Sequence, residues 1–141
     1  DFKGMRLGES RKPDGIISYD ENGVIIDNKA YSDGYELPII QADEMIRYIE
    51  ENSIRDSALN ADEWWLHFNP QVKNFYFLFV TSYLKNRFQN NLEYISNRTS
   101  VNGGAINVEN LLYFVEKIKS GEISYQDTFN YYQNTEIIIQ M

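Results

Sequence analysis

The sequence predicts an α/β fold, a mixed central β-sheet flanked by α-helices, on three observations. Short runs rich in Ile, Val, Phe and Tyr alternate with longer stretches whose apolar residues recur at helical spacing. The run Phe75-Tyr76-Phe77-Leu78-Phe79-Val80 is continuously apolar, as a strand covered on both faces requires. Capping and turn residues fall between these segments rather than inside them.

Residues 1 to 13 are polar and contain Gly, and read as an irregular lead-in. Ile16 to Tyr19 and Val24 to Tyr31 follow as two strands, with Asn22-Gly23 between them as a hairpin signal, since both residue types tolerate positive φ. Gly34 and Pro38 interrupt the chain before a helix from about Ile39 to Asn52, in which Ile39, Ala42, Ile46 and Ile49 share the core face. Asn60 to Glu63 has the form of a capping box ahead of Trp64-Trp65-Leu66, and Asn69-Pro70 stops that short helix. Beyond the strand at Phe75 to Val80 come a helix marked by Leu84, Phe88, Leu92 and Ile95, and a strand from Gly104 to Val108. A helix marked by Leu111, Val115 and Ile118 ends near Gly121, and a last Tyr-rich helix opens at Ser124. There are no repeats, low-complexity tracts or linkers, so residues 1–141 are read as one domain with one core.

Composition narrows the class. Hydrophobic residues are 43% and aromatics 15% of the chain, too many for a disordered segment. No stretch approaches the length of a membrane helix and no secretory signal pattern is present, which predicts no membrane association and an unexported protein. The absence of Cys rules out disulfides, thiolate metal sites and a Cys nucleophile, and suits a reducing cytoplasm. A formal net charge of −8 predicts weak binding to nucleic acid by the chain alone.

One constellation carries chemistry. Asp14 follows Pro13 where the first strand begins, and Asp27 and Lys29 lie two apart on the second, facing one way. Pairing of the two strands brings both carboxylates and the ammonium together. Two carboxylates with a backbone carbonyl between them form an all-oxygen set suited to Mg²⁺, which lowers the pKa of a bound water and offsets charge on a phosphate. Lys29 is placed to orient or deprotonate that water or to stabilise the transition state. Hydrolysis of a phosphodiester is the reaction this set fits. Taken alone, the same spacing also suits an ordinary solvated strand face.

The flanking residues are more specific. GESRKPDG at Gly8 to Gly15, GVIIDNKAYSDGYELPIIQADEM at Gly23 to Met45, RYIEEN at Arg47 to Asn52, EWW at Glu63 to Trp65 and FLFV at Phe77 to Val80 resemble the FokI-type cleavage domain of type IIS restriction endonucleases. The likeness continues in order through NGGAINVENLL at Asn102 to Leu112 and EKIKSGE at Glu116 to Glu122. The resemblance implies a restriction-endonuclease-like PD-(D/E)-x-K core, with Asp14 and Asp27 as metal ligands, Lys29 as catalytic lysine and Mg²⁺ as cofactor. It also implies a dimer contact on the helix after the catalytic strand, where Asp43 and Arg47 match a reciprocal Asp/Arg pair and Glu50 continues the stripe. Without the resemblance, Asp43 and Arg47 read as a surface pair at i, i+4.

Three departures stand out. The family usually has Thr where Asn28 stands, Gly where Glu9 stands, and a helical segment upstream of the catalytic hairpin; lack of that segment would leave part of the sheet uncovered. Arg11, Lys12 and Lys85 are candidate DNA contacts. His67 reads as a packed or surface residue, the Asn97 sequon has no use in an unexported protein, and Asp20-x-Asn22 fails as a calcium loop at Val24.

The expectation is a bacterial, cytoplasmic endodeoxyribonuclease that cuts one strand of double-stranded DNA without sequence specificity of its own. It would act with a large DNA-recognising nicking subunit, the preferred arrangement, or with a second cleavage domain. A repair or junction-resolving nuclease and a non-catalytic acidic interaction module are the alternatives.

Overall fold

A computed structural model describes residues 2–7, 11–29, 37–82, 84 and 88–139. The strands are β1 (Lys3–Arg6), β2 (Gly15–Tyr19), β3 (Asn22–Lys29), β4 (Asn74–Thr81), β5 (Asn102–Asn107) and β6 (Thr135–Glu136). They form one sheet in sequence order. β1 to β3 are an antiparallel meander, and β3 to β6 run parallel, which makes the sheet mixed as predicted. The helices are α1 (Ile39–Ile54), α2 (Phe88–Thr99), α3 (Val108–Ser120) and a single turn α4 (Tyr125–Thr128), with 3₁₀ turns at Trp64–His67 and Phe129–Tyr131.

Alternation along the strands divides the interior into two layers. Ile25, Phe77, Phe79 and Ala105 face α1, α2 and the Trp64-Trp65 turn, while Val24, Leu78 and Ile106 face Phe114 of α3, Phe129 and the C-terminal Ile137 and Ile139. β4 lies between these layers, which is why its sequence is apolar without a break. At one register pair the strands approach so closely that only Gly fits: a Cβ on Gly103, opposite Phe77, would stand 2.4 Å from that ring.

Several local expectations are corrected. The lead-in contains an edge strand, β1, which packs Met5 on the first layer, a pattern too short and too polar to read as a strand. The hairpin turn is Asp20-Glu21 rather than Asn22-Gly23, because Asn22 already pairs with Tyr19. Asp20 takes the positive φ (54°), and Glu21 is fixed by accepting the amides of Lys73 and Asn74 at 2.9 and 3.0 Å. Gly23 is small for packing reasons, since a Cβ there would meet Phe68 and Val72 at 2.8 Å.

On α1, Ala42, Ile46 and Ile49 are buried with Met45 and Tyr48, but Ile39 is 51% exposed. It is the first residue of the helix, where periodicity defines a face but not how far the neighbouring layer extends. Val115 is likewise exposed, and Phe114 provides the buried contact of α3. Val108 belongs to α3 and not to the preceding strand, because the Asn107 side chain caps the helix by accepting the Asn110 amide at 2.7 Å. The last helix, capped by Ser124, is one turn long, and β6 was not foreseen. Tyr31, Gly34 and most of the segment around Leu84 lie outside the described residues, and Leu84 itself packs on the first layer. Among the described residues no helix is long and apolar enough to cross a membrane.

Candidate active site

The antiparallel register pairs Gly15 with Ile26, so Asp14 and Asp27 stand one position further along, opposite each other. Asp14 is held on three sides. Its amide donates to the Ile26 carbonyl at 3.0 Å, its carbonyl accepts from Leu7 at 2.8 Å, and its carboxylate Oδ2 accepts the Asn28 amide at 2.7 Å. Asn28 thus contributes a main-chain donor that orients Asp14, which the sequence did not suggest. Its side chain is exposed, so the exchange of Thr for Asn at this place does not disturb packing.

Asp27 is 4% exposed, and its carboxyl lies within hydrogen-bonding reach of that of Asp14. Lys29 Nζ stands 2.9 Å from Asp27 Oδ2 and 3.6 Å from Glu44 Oε1 of α1. The structure therefore brings the three predicted residues to one place on the α1 side of the sheet, at the end of β3. Glu44 is a fourth member that sequence reading missed. Its signal was available only as one acidic residue on a helix full of them.

Burial, reinforced by the hydrogen bond from Asp14, pushes the Asp27 carboxyl up from 3.8 to about 7 despite the opposing Lys29 charge. For Lys29, burial works against the ammonium, but the ion pairs with Asp27 and Glu44 outweigh it and hold its pKa above the ordinary 10.5. It is a protonated donor at neutral pH in this state. Tyr48, buried beneath, has its phenol pushed well up by desolvation and by the Glu44 and Asp27 carboxylates.

This arrangement fits a hard divalent cation. Asp27 Oδ2 is a buried oxygen whose facing partner is the Lys29 ammonium, 2.9 Å away. A carboxyl driven to about 7 beside a second one gains on meeting positive charge. Among the described residues no three acidic or imidazole side chains gather closely enough to hold an ion by themselves, so backbone oxygen and water would complete the shell, the arrangement Mg²⁺ tolerates best.

The remaining candidates lie apart from this centre. Arg11 is exposed with φ 73°, and Lys12 pairs with Asp62 at 3.5 Å, just ahead of the buried Pro13 and Asp14. Lys85 lies outside the described residues. Arg6 of β1, exposed on the rim of the cleft that Asp14 and Lys29 also line, is a basic neighbour absent from the expectations. On α1, Asp43, Arg47 and Glu50 are exposed. Asp43 and Arg47 do not pair with each other: Asp43 accepts from Tyr94 Oη at 2.8 Å, and Arg47 lies 3.7 Å from Glu51 and over the Tyr48 ring.

A six-stranded mixed sheet with helices on both faces, and two carboxylates and a lysine at one strand end, defines a restriction-endonuclease-like domain. Comparison with known proteins makes this particular. Residues 1–139 match the model of the family described as FokI, cleavage domain, and the chain belongs to that family. It is 44% identical over 140 residues to the type II restriction enzyme FokI of Planomicrobium okeanokoites, covering 96% of this chain and 24% of that protein. It is 31% identical over 123 residues to the type II restriction enzyme StsI of Streptococcus sanguinis, covering 87% of this chain and 20% of the relative. The structure of FokI superposes with a TM-score of 0.94 at 42% identity, and that of FokI bound to DNA with 0.93 at 43%. Each covers 98% of this chain, which spans a quarter of the matched one.

Proposed function

We propose that this chain is a Mg²⁺-dependent endodeoxyribonuclease domain that hydrolyses one strand of double-stranded DNA without sequence preference of its own. In this reading it acts with a DNA-recognising nicking subunit or with a second cleavage domain, within type IIS restriction. The observation that carries it is the meeting of Asp14, Asp27 and Lys29 at one strand end, with the Asp27 carboxyl almost fully buried. The family's presence in two type II restriction enzymes, one solved on DNA, supports it.

Asp14 and Asp27 would hold the cation, which when bound supplies Lewis acidity toward a phosphate oxygen and a more acidic water. The Asn28 amide keeps the Asp14 carboxylate turned to the site. Burial keeps bulk water from Asp27, so its charge is presented at low dielectric. Lys29 remains protonated and donates to an oxygen of the phosphate as charge builds during attack of water and departure of the 3′ oxygen. Glu44 holds the ammonium from the helix side. Arg11 and Lys12 flank Asp14 where the DNA backbone would pass, and Asp43, Arg47 and Glu50 form the face toward the second cutting unit.

The net charge of −8 accords with a cutter brought to DNA by another protein. The test mixes the protein with its DNA-recognising partner, Mg²⁺ and supercoiled plasmid, and compares wild type with Asp27→Ala. Strand cleavage lost in the variant supports the reading, and an identical cleavage pattern in both excludes this chain as the catalyst.

A further inference from the structure

Asn60 lies outside the carboxylate centre, yet its side chain is tied to the segment that leads into it. Nδ2 donates to the Arg11 carbonyl at 2.8 Å and to Glu51 Oε1 at 3.2 Å, while Oδ1 accepts the Asp62 amide at 3.1 Å. Asp62 in turn reaches Lys12 Nζ at 3.5 Å. One turn therefore grips two successive residues just ahead of Pro13-Asp14.

The grip has a fixed base. Glu51 is 5% exposed, and its Oε1 also accepts the indole N–H of Trp64 at 2.8 Å, with Trp64 itself buried in the first core layer. What is gripped would not hold its shape unaided. Arg11 has φ 73°, a conformation that side chains other than Gly and Asn adopt at a cost and keep only when neighbours impose it. The bond from Asn60 to the Arg11 carbonyl is such an imposition. Pro13 restricts its own φ and the backbone of Lys12 before it, so rotation at Arg11 is passed on to Asp14 with little to absorb it.

We propose that Asn60 is a positioning residue for Asp14: it locks the Arg11 backbone and so sets the direction from which the Asp14 carboxylate meets Asp27. This rests on the nuclease reading for its consequence in cleavage, but not for its effect on the carboxylate pair. Strand bonds hold Asp14 from the β3 side, and the Asn60 bond holds the approach from the other side.

The test uses the full native chain with Mn²⁺ as the probe, titrated by calorimetry, and plasmid cleavage with the partner protein as a second readout. In Asn60→Ala, Mn²⁺ binds about fivefold to tenfold more weakly, as expected for one lost hydrogen bond. kcat falls by at least as much, and KM for DNA stays within twofold. On an Asp14→Asn background the Asn60 change adds no further loss of affinity, because its effect passes through Asp14. If Asn60→Ala fails to fold, Asn60→Ser keeps an acceptor for the Asp62 amide but is too short for Arg11, and the same loss is expected. Affinity within twofold of wild type alongside a lowered melting temperature overturns the proposal, as does an equal loss on the Asp14→Asn background. If wild type binds Mn²⁺ but cuts nothing, the nuclease reading fails, and the affinity data still decide the role of Asn60.

Discussion

Replacing Asp27 by Asn tests the electrostatics of the site without reference to DNA. In the metal-free fold the Asp27 carboxyl is raised from 3.8 to about 7, so the folded state binds a proton there that the unfolded state has lost. Stability then declines as pH rises from about 4 to about 7 and is level above that. A rise of about three pH units corresponds to at most about 4 kcal/mol, and Asp27 is buried enough for the figure to need little discount for solvent. Part of the gain from Asp27→Asn is lost again, because Lys29 loses its 2.9 Å partner and keeps the charges of Glu44 and Asp14. The net expectation at pH 8 without metal is stabilisation by about 1–3 kcal/mol, roughly 3–9 °C in melting temperature for a chain of this length. The assay is thermal unfolding by circular dichroism in EDTA at pH 5 and pH 8. Wild type should melt lower at pH 8 than at pH 5, and the variant should show a much smaller difference. A variant less stable than wild type at pH 8, or a wild type indifferent to pH, would refute the claim that burial opposes this charge. The site would then be an ordinary ion pair, not one strained in favour of a cation.

Further outcomes follow from other parts of the structure. Mn²⁺ affinity should weaken by up to about tenfold for each pH unit below 7, since the ion must displace the proton of Asp27; a flat profile from pH 5.5 to 7.5 in calorimetry would contradict its place as a ligand. Lys29→Met should lower kcat by about 10²–10³ while leaving KM for DNA nearly unchanged, because a protonated donor acts on developing charge; a change confined to KM would make Lys29 a DNA-binding residue instead. Asp43→Arg or Arg47→Asp should reduce linear plasmid at least tenfold relative to nicked plasmid, read on a gel. Equal loss of both products would place these residues outside the contact between cutting units. Gly103→Ala should cost about 1–3 kcal/mol by urea denaturation, since its Cβ would collide with the Phe77 ring. A variant as stable as wild type would show that the two strands can part without penalty.

The Ile- and Val-rich runs of β2 and β3, the unbroken run of β4 and the Gly121 end of α3 could be read from the chain because local backbone geometry imposes those patterns. The spacing of Asp27 and Lys29 likewise ensured a shared face on β3, whatever the rest of the molecule did. The turn at Asp20, the exposure of Ile39 and the existence of β6 were not legible. Each depends on a distant neighbour: the amides of Lys73 and Asn74, the extent of the layer beside α1, and the free edge of β5.

The same division holds at the site. Sequence by itself determined which residues could do the chemistry, two carboxylates and an amine on a hairpin, and the long run of flanking likeness made the choice specific. Tertiary structure decided what those groups are like. Burial lifts Asp27 to about 7, Glu44 reaches Lys29 from another element, the Asn28 amide turns Asp14 inward, and Asn60 grips Arg11 from 49 positions away. Desolvation and long-range hydrogen bonds depend on what packs nearby, and a linear chain does not state that. The three residues announced by the sequence share one water-poor environment only because the fold buries Asp27 and brings Lys29 Nζ to 2.9 Å from its Oδ2.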